Sequence, residues 1–156
     1  MIALMGNHED MLLNYLRGDD TWLYNGYNAT LESYKGCFDE LQDDLDWMEK
    51  LPLYHEDDDF IYVHAGINPH IKMENQNRNT LLWTREQFYY AQDAESKRVI
   101  FGHTPTQLLT GEDKPVMIDG NIDIDTGCVF GGGLTALMID GDVLEYLQVK
   151  GGNNNE

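Results

Sequence analysis

Three apolar runs, each stopped by a small residue and a histidine, set the strongest limit on how this chain folds. Ile2-Ala3-Leu4-Met5 runs into Gly6-Asn7-His8-Glu9, and Phe60-Ile61-Tyr62-Val63 runs into His64-Ala65-Gly66. Val99-Ile100-Phe101 runs into Gly102-His103-Thr104-Pro105. A short apolar run bounded by turn residues reads as a buried strand. In layered α/β proteins, ligands gather just beyond strand ends, where rigid strands hold loops open. Three imidazoles and an amide, delivered there from distant segments, point to a metal site.

The remaining composition narrows the function classes. At 156 residues, with 42% hydrophobic residues and three Trp, the chain is long and apolar enough for one globular core. Its net charge of -18 opposes binding to nucleic-acid backbones, which requires Lys and Arg to neutralise phosphates, and opposes anionic membrane surfaces. A phosphate-bearing substrate is repelled at long range, so a local cation must capture it, and a bound metal ion is often the largest charge in a site. Cys37 and Cys128 show neither ligand-pair spacing nor a disulfide framework, which reads as two reduced, structural thiols. No run approaches the roughly 18 apolar residues of a membrane span, and no cleavable leader precedes the first strand. The expectation is a cytoplasmic protein that takes neither nucleic acid nor membrane as partner.

The spacing predicts α/β layers with an antiparallel C-terminal sheet. Met1–Met5 reads as a buried strand, followed by a helix with Met11, Leu12, Tyr15 and Leu16 on its apolar stripe. A short helix is expected over Ala29–Tyr34 and an amphipathic one over Cys37–Lys50, with Leu41, Leu45, Met48 and Leu51 on one face. Pro52 stops it. Strands are expected at Leu53–His55, Phe60–His64, Val99–Gly102, Val116–Asp119 and Asn121–Asp125, and a helix at Leu81–Gln92. Leu134–Ile139 and Val143–Val149 flank Asp140-Gly141, a hairpin signal. One domain spans residues 1–150, and residues 151–156 form a polar tail read as disordered. A chain opening inside a core strand is expected to be N-terminally incomplete, because termini are ordinarily polar and superficial.

Hydrolysis of a phosphate ester by two hard cations requires them about 3.5–4 Å apart, clamping the phosphate and activating water. Carboxylate, imidazole and amide oxygen suit Mn, Fe or Zn ions. Asn7, His64 and His103 are the candidate ligands, and His8 is the candidate proton donor to the leaving oxygen. Arg85 is one of only four arginines and follows the apolar Leu81-Leu82-Trp83, which makes it the candidate phosphate clamp.

Gly6-Asn7-His8-Glu9, Val63-His64-Ala65-Gly66-Ile67 and Gly102-His103-Thr104-Pro105 resemble the later motifs of the calcineurin-like metallophosphoesterases. Within them the chain looks most like the bacterial and phage serine/threonine protein phosphatases. Leu82-Trp83-Thr84-Arg85 before Phe88 is similar to that group, as are Ile124-Asp125-Thr126-Gly127, Gly131-Gly132 and Leu134-Thr135-Ala136-Leu137. The resemblance implies an α/β/β/α sandwich with a dimetal centre at the strand ends. It assigns Asn7, His64 and His103 to the second metal, His8 to protonation of the leaving alkoxide, and both His8 and Arg85 to substrate binding. It implies Mn2+, with Fe or Zn as alternatives, and attack by a metal-bridging hydroxide.

The family's two opening motifs, Gly-Asp-x-His-Gly and Gly-Asp-x-x-Asp-Arg-Gly, have no match here. They would supply the ligands of the first metal, the bridging Asp and a second phosphate Arg. The expectation is therefore an N-terminally shortened enzyme with at most one well-liganded ion and weak or absent activity alone. Its substrates are phosphoserine or phosphothreonine on proteins, or another small phosphoester. The alternatives are a diadenosine tetraphosphate or nucleotide phosphatase, and an inactive remnant that binds partners. Glu9 reads as a loop cap and Asp125 as structural. His55 and His70 read as surface residues, Phe88-Tyr89-Tyr90 as core packing, and the Asp-rich stretches as solvated faces.

Overall fold

The computed structural model describes residues 1–35, 37–85, 97–141 and 143–151. Its centre is a mixed five-stranded sheet in the order β1-β2-β3-β5-β4. The strands are β1 Tyr54–Glu56, β2 Phe60–Val63, β3 Arg98–Phe101, β4 Val116–Ile118 and β5 Asn121–Asp123. The three inner strands run parallel, while β1 and β4 pair antiparallel at the two edges. Strands β6 (Gly133–Asp140) and β7 (Val143–Lys150) form a separate hairpin paired along its whole length.

Alternation along the inner strands sends neighbouring side chains to opposite faces. Ile61, Val63, Val99 and Phe101 join Ile67 and Leu81 in one apolar cluster. Phe60, Ile100 and Ile122 face the other way, against Leu137, Ile139 and Leu144 of the hairpin. The inner strands are thus buried on both faces, which explains why their sequences are continuous apolar runs. The chain is a mixed α/β protein with a central sheet, as its pattern implies.

A helical cluster forms the third body of apolar contacts. It gathers Met11, Leu12 and Leu13 of α1 (Asn7–Tyr15), Trp22 of a 3-10 turn (Asp20–Tyr24), Leu45 of α3 (Phe38–Met48) and Leu82 of α4 (Arg78–Trp83). A short α2 (Tyr27–Ser33) adds Tyr27 and Leu31 to its margin. Leu16, expected on the α1 stripe, is 61% exposed because the helix ends at Tyr15 and Leu13 is buried instead. One ion pair fastens α1 to α4. Arg78 donates from Nε and Nη2 to the nearly buried Asp10 Oδ1, at 2.9 and 2.7 Å.

Two elements depart from expectation. Met1–Met5 forms no strand: Met5 N–H donates to the Pro52 carbonyl at 2.9 Å, outside any ladder, and Met1 and Ile2 are exposed. Apolar patterning makes a strand only where a neighbour completes its hydrogen bonds. The helix expected over Leu81–Gln92 ends at Trp83, since Thr84 turns extended (ψ 150). The rest of that segment, with Phe88-Tyr89-Tyr90, lies outside the described residues, as do residues 152–156 of the expected tail. Gly151 donates its N–H to the Gly132 carbonyl. Among the described residues, no helix is long and apolar enough to cross a membrane.

Asp123 sits on the helix-covered face of β5, fully buried, with Oδ1 accepting from Asp125 N–H and Oδ2 lacking a hydrogen-bond partner. Burial pushes its carboxyl up to about 7, against the pull of that backbone bond. Raised above its unfolded value, the group destabilises the fold progressively from about pH 3.8 to 7. Asp123→Asn keeps the Oδ1 acceptor and removes the charge. Its stability relative to the parent chain should rise with pH across that window by on the order of 3 kcal/mol and then level off. A flat difference in urea midpoints between pH 4 and 8 would refute this.

Candidate active site

The site begins at the N-terminus of α1. Glu9 Oε2 accepts the Gly6 N–H at 3.0 Å, closing a capping ring around Asn7 and His8. This is the loop-capping role expected of Glu9. Gly6 is closely approached, since a Cβ there would lie 2.6 Å from Glu9 Oε2 and 3.2 Å from His64 Nδ1. Asn7 is buried in the first helical turn, and His8 beside it is exposed.

His64 and His103 arrive from the carboxyl ends of β2 and β3. The parallel ladder continues one step past the strands, where Gly102 N–H donates to the His64 carbonyl at 2.9 Å. His103 then adopts a left-handed backbone (φ 71), uncommon outside glycine, which marks a position held by its surroundings. The two rings meet edge to face at 5.0 Å between centroids, and Trp83 packs edgewise on His103 at 5.8 Å.

The side chains converge on one point. His64 Nε2 lies 2.8 Å from Asn7 Oδ1 and 3.2 Å from His103 Nδ1, joining residues 57 and 39 positions apart. Donors held at about 2.1 Å and at right angles around one ion lie about 3 Å apart, so these separations suit a single cation. His103 Nε2 is buried without a hydrogen-bond partner. Two imidazoles and an amide oxygen fit Mn, Fe or Zn chemistry. No trio of His, Cys, Asp or Glu gathers for a metal among the described residues, so the set depends on the Asn7 amide.

Burial holds both imidazoles down to about 4, helped at His64 by the charges of His103 and His8, and at His103 by those of Arg85 and His8. Both rings are therefore neutral at pH 7, the state a ligand needs. The same couplings place His8 and Arg85 in the electrostatic surroundings of the pair. Arg85 follows α4, is exposed, and donates from Nη1 to the buried Thr104 Oγ1 at 3.0 Å. Ala65 N–H donates to the Leu81 carbonyl at 3.0 Å, so the exit of β2 anchors the helix that leads to Arg85.

All five residues singled out in the sequence thus lie in one neighbourhood. Thr104, Trp83 and Asp125 join them, and their signal was present inside the same motifs. Asp125 lines a cleft of about 450 Å3 with His64 and His103, between the sheet and the hairpin. It also accepts the Gly127 N–H and, through its carbonyl, the Thr106 N–H. His70 is exposed, whereas His55 is half-buried and stacks on Tyr62 at 5.8 Å. Both cysteines are free.

In the metal-free protein, the ring resonances of His64 and His103 should titrate near pH 4 in NMR spectra, and not near 6.5. With folded values below unfolded ones, this pair's contribution to stability is present above pH 6.5 and is lost as pH falls toward 4. Titration of both rings near 6.5 would show that the cluster is open to water.

No known family model matches the chain. It is 27% identical over 152 residues to a bis(5'-nucleosyl)-tetraphosphatase PrpE (asymmetrical) of Oceanobacillus iheyensis, covering 84% of this chain and 58% of that protein. Proteins of the same name from Anoxybacillus flavithermus and Halalkalibacterium halodurans are 26% and 28% identical, covering 87% and 85% of this chain and 62% and 60% of theirs. The chain spans about three-fifths of the length of these curated relatives. A crystal structure provisionally assigned as a diadenosine tetraphosphatase superposes with a TM-score of 0.70 at 19% identity, covering 98% of this chain and 69% of that one. The chain has the fold of that solved structure, a mixed α/β arrangement around a central sheet.

Proposed function

We propose that the protein is a metal-dependent hydrolase of phosphate bonds whose substrate is a dinucleoside polyphosphate. The observation that carries this reading is the convergence of Asn7 and His103 on His64 Nε2, at 2.8 and 3.2 Å. The names of the relatives support the nucleotide substrate over phosphoserine or phosphothreonine, which rests on motif likeness alone.

In this reading Asn7, His64 and His103 hold one divalent cation, with Mn2+ assigned and Fe or Zn compatible with the same donors. When bound, such an ion supplies positive charge for phosphate oxygens and acidifies water. Arg85, tethered to Thr104 by one nitrogen, offers its remaining N–H groups to a phosphate oxygen. His8, exposed beside the buried Asn7, gives a proton to the departing oxygen. A substrate with several phosphates approaches a chain of charge -18, so these local groups must outweigh the long-range field.

Turnover by the 156-residue chain is expected to be slow, so the ratio between substrates is the informative reading. With Mn2+ present, diadenosine tetraphosphate should be cleaved in preference to a phosphothreonine peptide. His8→Ala should lower kcat by about 10²- to 10⁴-fold, and His64→Ala should abolish the Mn2+ binding seen by calorimetry. Preference for the peptide would sink the nucleotide reading, and unchanged Mn2+ affinity in His64→Ala would sink the metal site.

A further inference from the structure

Val129 and Phe130 are 87% and 73% exposed, side by side on a 3-10 turn, Cys128–Phe130. Glycines in left-handed conformation frame the turn on both sides, Gly127 at φ 68 and Gly131 at φ 87, where side chains are strained. Its base is tightly tied. Gly132 N–H donates to the Gly127 carbonyl at 2.9 Å, and Thr126 Oγ1 bonds to both the Gly133 carbonyl and Thr135 Oγ1. A Cβ at Gly132 would lie 2.0 Å from the Thr126 carbonyl oxygen, so the backbone there is in contact with itself. The turn is therefore a braced projection that carries an aromatic ring into solvent.

Its place gives the projection a use. Cys128 on one side of Phe130, and Gly133 and Leu134 on the other, line the same cleft as His64 and His103. Leu134, itself 68% exposed, adds apolar surface at that cleft. A polyanionic substrate meets repulsion from most of this chain, and Arg85 is the arginine placed among the site residues. Binding strength drawn from an uncharged part of the substrate escapes that repulsion. A purine has a flat π-face that stacks on aromatic side chains irrespective of charge.

We infer that the Val129-Phe130 turn is a base-stacking platform at the rim of the cleft, taking a purine ring of the substrate whose phosphates lie at the His64–His103 end. The inference rests on the nucleotide reading proposed above. Phe130→Ala and Phe130→Trp alter an exposed side chain, which leaves the core intact. Calorimetric titration of the chain, with Mn2+ present, compares diadenosine tetraphosphate with inorganic tripolyphosphate. Phe130→Ala should weaken the dinucleotide about tenfold and leave tripolyphosphate unchanged, while Phe130→Trp restores binding. Equal weakening of both ligands, or no change in either, overturns the platform. A parent chain that fails to bind the dinucleotide at all brings down the nucleotide reading itself, a result distinct from binding that is indifferent to Phe130.

Discussion

The hydrogen bond from Gly102 N–H to the His64 carbonyl is the joint on which the site depends. It extends the parallel pairing of Ile61 with Val99 and Tyr62 with Ile100 one step beyond both strands. Two loops that would otherwise diverge are thereby kept abreast, and each carries an imidazole. Gly102 packs closely, since a Cβ there would lie 3.3 Å from Asp125 Cβ. The loop after β5 therefore closes against the same point. A small residue after β3 lets the strand ends of β2, β3 and β5 meet closely beside the two histidines. From the opposite side, the Asp10–Arg78 pair fastens the helix that presents Asn7 to the helix that leads to Arg85. Hydrogen bonds to charged groups are worth about 1.5–3 kcal/mol, and the half-exposed Arg78 puts this one toward the lower end.

The electrostatics of the cluster run against those of the chain. The molecule carries -18, yet the three converging donors are an amide and two imidazoles held neutral by burial. Among the described residues the converging donors are uncharged, so they would leave a divalent ion's charge uncompensated. Carboxylates in the same positions would bind the ion more strongly and present less of its charge. Many of the acids lie away from the three donors, although Asp125 lines the same cleft as His64 and His103. Asp57 and Asp59 lie exposed on the turn between β1 and β2, and Asp43 and Asp46 lie exposed on α3. Asp10, the buried acid of α1, is matched by Arg78.

Much of this arrangement was legible in the residues. The apolar runs at 60–63 and 99–101 are strands because both faces of the central strands are covered, and such strands need no alternation. The hairpin lies where the Asp140-Gly141 signal puts it, although Asp140, which the pattern leaves in the turn, joins β6 and pairs with Val143. What depended on tertiary context was not legible. Apolar patterning at the start of the chain could not tell a strand from an unpaired segment, because the difference lies in a neighbour and not in Ile2 to Met5 themselves. Asn121 and Asp123 look like outward polar positions, but pairing with β3 turns both inward and sends Ile122 to the hairpin side. Asn121 spends its side chain on Val99 N–H, a ladder partner supplied across the sheet. Helix α5 (Thr106–Thr110) begins after Pro105 and is too short to show a periodic signal.

The backbone at His103 explains why the histidine cluster is preformed. A left-handed residue with a Cβ costs about 1–2 kcal/mol relative to the right-handed form, so it persists only when its neighbours leave no alternative. Those neighbours are unusually well fixed. Phe101 is buried in the sheet, Thr104 and Pro105 are buried, and Thr106 N–H is bound to the Asp125 carbonyl at 2.8 Å. With this positive φ the ring lies 3.2 Å from His64 Nε2, and Trp83 closes its edge. Strain carried by His103 and geometry shared with Asn7 and His64 are two descriptions of one arrangement. The conformational cost at His103 is carried by the same packing that holds the three donors together.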